Sequence, residues 1–183
     1  MKTEIILSGA GGQGLILAGA ILAEAAGVFE DREVVQTQSY GIQARGGASQ
    51  SSVIISDSRV SFPEVRTPDI LICLSQEACN RYMPDLKQGG LLIIDEDLVS
   101  PDNLRSNLHI VALPFTAEAE RLNRRIVANV IALGALAVLT GVVAPESIAK
   151  ALSSRLPARN VSLATEALFL GVKIAEEKKV LLP

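Results

Sequence analysis

Three glycines near the start of the chain stand at a spacing that can hold an anion. Gly9, Gly11 and Gly14 follow the G-x-G-x-x-G pattern, directly after the apolar run Ile5-Ile6-Leu7. A strand, a glycine turn and a helix in that order leave backbone N–H groups free at the helix start, where the dipole also favours negative charge. Lacking side chains, Gly9, Gly11 and Gly12 would let a phosphate or carboxylate approach the main chain, and Gln13 adds an amide beside them. The same glycines also suit a plain tight turn with close helix–sheet contact, and the spacing alone leaves both readings open.

A dinucleotide site needs one group more. An acid should cap the second strand about 20 residues downstream, to hold the ribose hydroxyls. Here that strand ends Val34-Val35-Gln36-Thr37-Gln38 with no carboxylate. Glu30, Asp31 and Glu33 precede the strand, as does Arg32, the one cation that could serve a 2′-phosphate. The pattern therefore argues against NAD(P) and against FAD.

The elements that would position this turn read as an α/β fold. Strands are expected at Thr3 to Leu7, Val34 to Thr37, Ile70 to Leu74, Leu91 to Ile94 and His109 to Leu113. Ser52 to Ile55 and Val60 to Phe62 suggest a hairpin about Ser56-Asp57-Ser58. Helices are expected from Gln13 to Ala26, Glu118 to Leu139, Pro145 to Leu156 and Asn160 to Lys178. Pro145 suits a first turn, and Pro157 stops the helix before it. The βα alternation predicts an open, mostly parallel, Rossmann-like sheet with flanking helices, its C-terminal third helical, as a single domain over residues 1–183.

Composition narrows the function classes. With 49% hydrophobic residues the chain can fill a core, but only 3% are aromatic and Trp is absent, so Ile, Leu, Val and Ala must build it. A net charge of −3 without a basic cluster argues against nucleic acid. The start, Met1-Lys2-Thr3-Glu4, lacks a secretory pattern, and the apolar run Ile126 to Ala144 reads as a buried helix rather than a membrane span. A cytoplasmic setting is expected, with Cys73 and Cys79 as buried, inert thiols. Two cysteines fall short of the four thiolates an iron–sulfur cluster normally takes. No nucleophile stands with a base partner, and His109 lies in an apolar strand where a structural imidazole is expected.

A second glycine-rich segment makes the pattern specific. Gly-Ala-Gly-Gly-Gln-Gly from Gly9 to Gly14, with Gln36-Thr37-Gln38-Ser39-Tyr40-Gly41 and Arg45-Gly46-Gly47, resembles the gamma subunit of 2-oxoacid:ferredoxin oxidoreductases. The likeness continues through Pro68-Asp69, Gly89-Gly90, Asp95 and the stretch Asn129 to Gly134, and so covers essentially the whole chain. From Val35 to Gly47 it is most like the 2-oxoglutarate type. Such enzymes oxidatively decarboxylate 2-oxoacids to acyl-CoA with thiamine diphosphate, Mg²⁺ and iron–sulfur clusters. The resemblance implies that alpha, beta and delta partners carry those groups, that ferredoxin accepts the electrons, and that this chain binds no cofactor alone and is inactive alone.

Both loops should follow strand C-termini and so gather at one sheet edge. The expected site is a docking face and rim for CoA entry, made of Gly9, Gly11, Gly12, Gln13, Gly14, Ser39, Tyr40, Gly41, Arg45, Gly46 and Gly47. Arg45 would pair with a carboxylate or phosphate as a planar fork, or else brace its own loop. Tyr40 is of a type enriched at interfaces. Small residues on loops and late helices leave room for self-association of the lone chain. A stand-alone nucleotide-binding dehydrogenase or sensor, and a plain scaffold, are the competing readings.

Overall fold

The computed structural model describes residues 1–39, 47–102 and 104–180. Six strands form one sheet: β1 (Lys2–Ala10), β2 (Glu33–Ser39), β3 (Ala48–Ser56), β4 (Ile70–Cys73), β5 (Leu91–Asp95) and β6 (His109–Leu113). Their order is β2-β3-β1-β4-β5-β6. β1, β4, β5 and β6 pair in parallel, whereas β3 pairs antiparallel with both β1 and β2. β3 alone runs against the rest, so the sheet is mostly parallel, as the βα alternation predicts.

Period-two alternation divides the strand residues between two apolar layers. Ile5, Leu7, Val53, Ile55, Ile70, Ile72, Ile93 and Val111 face the larger layer, and Ile6, Leu71, Cys73, Leu92 and Ile94 the smaller one. α1 (Leu15–Phe29), α4 (Ala128–Thr140), α5 (Pro145–Arg155) and α6 (Ala158–Val180) build the larger layer. α2 (Gln76–Tyr82) supplies Ala78, Cys79 and Tyr82 to the other face. Strands buried on both faces cannot show a polar side, and this is why they read as unbroken apolar runs.

α4 and α6 meet backbone to backbone. A Cβ at Gly134 would stand 2.1 Å from the Leu168 carbonyl oxygen, and one at Gly171 would stand 1.9 Å from that of Ile131. The two glycines thus let each helix seat against the other's main chain. α4 is buried along most of its length, which explains its hydrophobic run. Among the described residues no helix is long and apolar enough to cross a membrane.

Two local expectations are corrected. Ser52 to Ile55 does enter a hairpin, but its partner is β2 rather than Val60 to Phe62, which forms no strand and leaves Phe62 exposed. The helix expected from Glu118 to Leu139 is interrupted after α3 (Phe115–Arg121). Asn123 takes φ 55°, its N–H donates to the Glu120 carbonyl at 2.8 Å, and the Arg124 N–H donates to that of Ala119 at 3.0 Å. This is a Schellman stop with asparagine in the left-handed position. A 3-10 turn, Arg125–Val127, then leads into α4.

Gly171→Ala is expected to lower unfolding free energy by about 1–3 kcal/mol, because helices in backbone contact must separate. Gly27→Ala, where the nearest atom to a new Cβ is Val34 Cγ2 at 3.5 Å, is expected to be neutral or to add about 0.5–1 kcal/mol. Urea denaturation of both variants checks the contrast.

Candidate functional site

β1 delivers the glycine turn to the C-terminal edge of the sheet, beside the end of β4. The Leu74 N–H donates to the Ser8 carbonyl at 2.9 Å, which holds the two strand ends together. Gln13 then folds back over Gly9. Its Oε1 accepts from the Ala10 N–H at 2.6 Å, and its Nε2 donates to the Leu74 carbonyl at 2.8 Å. A Cβ at Gly9 would stand 2.3 Å from that Oε1, so only glycine leaves room for the staple. The carboxamide was read from the sequence as a group beside an anion cavity. It lines the cavity, but both of its polar ends are committed to the protein.

Gly14 ends the turn at φ 73°, a left-handed conformation that favours glycine. Its carbonyl accepts from Asn129 Nδ2 at 3.0 Å, tying the turn to α4. α1 begins with no side-chain cap and no acid in its first turn. Its first amides therefore lack intrahelical acceptors, and the dipole leaves that end positive. The turn that precedes α1 borders a crevice of about 340 Å³, lined by Gly11 and Gly12 from the turn, Leu74 after β4, Thr116 in α3, and Arg125 and Ile126 before α4.

The second predicted loop returns to the same edge. Ser39 pairs with Gln50, and Gln50 with Ser8, so β2 ends one strand away from β1 and two residues short of the level of Ala10. Gly47 stands just before β3, and its carbonyl oxygen is 4.0 Å from where a Gly11 Cβ would be. The structure therefore brings Gly9, Gly11, Gly12, Gln13, Gly14 and Gly47 together, with Ser39 farther along the edge. Tyr40, Gly41, Arg45 and Gly46 lie outside the described residues. β3 separates β2 from β1, so even an acid at the end of β2 would stand one strand away from the position a ribose-binding acid takes.

Asp95 closes β5 at full burial. Its Oδ2 accepts from the Thr116 N–H at 3.1 Å and from the Thr116 hydroxyl at 2.5 Å, while Oδ1 accepts from the Asp97 N–H at 3.2 Å. Burial raises its pKa, and these hydrogen bonds oppose the shift. The carboxylate fixes the start of α3 against the crevice and is turned toward protein donors. Sequence reading singled out Asp95 but missed Thr116, which precedes the helix expected from Glu118, and Arg125 and Ile126, which that expected helix absorbed.

Cys73 and Cys79 are both buried. Burial raises the Cys73 thiol pKa well above its usual value, whereas a hydrogen bond from Cys73 lowers that of Cys79. His109, expected to be a structural imidazole in an apolar strand, is exposed at the opposite sheet edge, where β6 begins. It is remote from the glycine turn because it starts a strand rather than ending one. Among the described residues no group of three or more His, Cys, Asp or Glu could hold a metal ion.

Comparison with known proteins agrees with this architecture. The family model described as pyruvate ferredoxin/flavodoxin oxidoreductase matches residues 4–174. The 2-oxoglutarate synthase subunit KorC of Methanocaldococcus jannaschii is 48% identical over 179 residues, spanning 97% of this chain and 96% of that protein. The crystal structure of a keto/oxoacid ferredoxin oxidoreductase gamma subunit from Geobacter sulfurreducens superposes with a TM-score of 0.87 at 47% identity, covering 97% of this chain and 98% of that one. A 2-oxoglutarate:ferredoxin oxidoreductase from Magnetococcus marinus contains the same fold, with a TM-score of 0.83 at 22% identity, over 96% of this chain and 31% of its own.

Gln13→Ala is expected to cost about 1–3 kcal/mol of stability, since it strands one donor and one acceptor at the turn. Gln13→Glu, which keeps the acceptor but sets an anionic oxygen against the Leu74 carbonyl, should lose at least as much at neutral pH; thermal melts compare the three chains. Because burial raises the Asp95 pKa, the folded chain holds that proton more tightly than the unfolded chain. This group's stabilising share is complete below the unfolded pKa and is lost as pH rises through the folded one. Thr116→Val removes a donor that favours the charge, so the Asp95 pKa should rise further. The accompanying loss, about 1–3 kcal/mol at neutral pH, should shrink where Asp95 is protonated. Carboxyl NMR titration and denaturation on both sides of that pKa check the sign.

Proposed function

Because the chain belongs to the pyruvate ferredoxin/flavodoxin oxidoreductase family, we propose that it is the gamma subunit of a 2-oxoglutarate:ferredoxin oxidoreductase. The observation that carries the reading is the 48% identity to KorC across nearly the full length of both chains. The reaction takes 2-oxoglutarate and CoA to succinyl-CoA and CO₂ and passes the electron pair to ferredoxin. Alpha, beta and delta subunits supply thiamine diphosphate with Mg²⁺ and the iron–sulfur clusters. This chain's own donor set does not fit a cluster: its two cysteines, both buried, are short of four thiolates.

The role of the chain is then to shape and position. Its glycine turn is held by Gln13 and Asn129, so it presents a fixed main-chain surface at the sheet edge. Pre-organised amides of this kind cost little ordering when a partner or an anionic substrate group arrives. Ser39, Tyr40, Gly41, Arg45, Gly46 and Gly47 complete the docking face and the rim through which CoA enters, with Arg45 as the charged contact. A dinucleotide has no comparable support, since the acid it needs is missing and β2 stands a strand away.

Co-expression with the subunits encoded beside it tests the reading. The assembled complex should reduce ferredoxin in the presence of both 2-oxoglutarate and CoA, and omission of this chain should abolish turnover. Arg45→Ala should leave the isolated chain folded but lower the yield of complex or raise KM for CoA. Wild-type assembly and kinetics in that variant would remove the role of Arg45. Calorimetric binding of NAD(P)H or FAD by the isolated chain at micromolar affinity would overturn the subunit reading.

A further inference from the structure

A second cavity opens beside the glycine-turn crevice, and Ile126 lines both. It measures about 210 Å³ and runs between α1, the start of α4 and the α5–α6 junction. Ile21, Val130 and Leu163 are among the apolar residues lining it. Two more, Leu17 and Ile126, are 41% and 55% exposed, although large apolar side chains gain most from burial. Together they leave an unpartnered apolar patch around a concavity.

The charged side chains that line the two concavities carry one sign. Arg124 lines the apolar cavity and Arg125 the crevice beyond Ile126, while no Asp or Glu lines either one among the described residues. That is a local reversal in a chain whose net charge is −3. Three nearby arginines have carboxylate partners, Arg121 with Glu118, Arg125 with Glu120 and Arg155 with Glu24, while Arg159, next to the lining residue Asn160, has no ion pair among the described residues. Arg124 has no ion pair among the described residues. Its backbone is nevertheless fixed, because its N–H donates to the Ala119 carbonyl at 3.0 Å and its carbonyl accepts from the Val127 N–H at 2.9 Å. A guanidinium on a rigid turn beside an apolar pocket is the anatomy of an interface anchor, and docking there needs little ordering of the main chain.

We propose that this groove seats a segment of a partner subunit that places an apolar side chain between Leu17 and Ile126 and an adjoining carboxylate on Arg124. The inference rests on the subunit reading above and extends the docking face from the glycine turn to the α5–α6 junction. An apolar anchor explains the exposed rim, and an acidic neighbour explains the cation without a partner.

The test uses the complex assembled from this chain and its co-encoded subunits. Arg124→Glu and Ile126→Asp should each reduce recovered complex about tenfold or more at fixed salt, as loss of an interface anchor does. Isolated variants should melt as the wild type does, because both side chains are exposed. In the wild-type complex, amides of residues 121–130 and 156–164 should gain hydrogen-exchange protection relative to the lone chain. Wild-type yields from both variants, or no gain in protection, would overturn the inference and leave the subunit reading standing. Failure of the wild-type chain to form any complex would overturn both. A wild-type homodimer broken by Ile126→Asp would also overturn the inference, since a second copy would then be the occupant.

Discussion

The candidate site depends on one carboxamide. By accepting from the Ala10 N–H and donating to the Leu74 carbonyl, Gln13 joins the turn after β1 to the turn after β4. In an open α/β sheet, ligands bind outside the carboxyl ends of the strands where the connections part toward opposite faces, as α1 and α2 do after β1 and β4. Here that parting is bridged from within, and Asn129 adds a second tie from α4 to Gly14. What faces outward is main chain rather than side chain. A surface of that kind is defined by position and shape.

The fold around this turn was largely legible. β1, the glycine turn and α1 were read within a few residues, as were β4, β5, β6 and the start of α5 at Pro145. Apolar runs long enough for a strand, punctuated by glycine or proline, carry that information locally. The place of β3 was not legible. Ser52 to Ile55 announces a strand, but nothing nearby says that it pairs with β2 on one side and β1 on the other. Strand order is a long-range property. Phe62 misled because β-branched neighbours beside a turn imitate the second arm of a hairpin.

The site was legible in part, for a related reason. Gly9, Gly12 and Gly14 were visible because glycine marks places where the chain allows no side chain. The committed state of Gln13 was not visible, since an amide that binds a ligand and one that binds its own backbone look alike in a sequence. Arg124, Arg125 and Ile126 were absorbed into a continuous helix, although Asn123 was a stop signal of a known kind. His109 shows the opposite error: an apolar neighbourhood suggested burial, yet the first residue of a strand sits at the sheet's margin and faces water.

The reversed strand carries a consequence for how such a subunit can diversify. In an all-parallel sheet, the segment leaving the second strand is committed to crossing over a face, and its length is bound to the helix it contains. Because β3 runs antiparallel beside β2, the chain passes from Ser39 to Ala48 between two neighbouring strands, with no crossover over a sheet face. A connection between neighbouring antiparallel strands is short by geometry and is not tied to the length of a crossover helix. Relatives built for different 2-oxoacids could therefore rewrite that connection at small thermodynamic cost, much as a tool takes a new tip on an old handle.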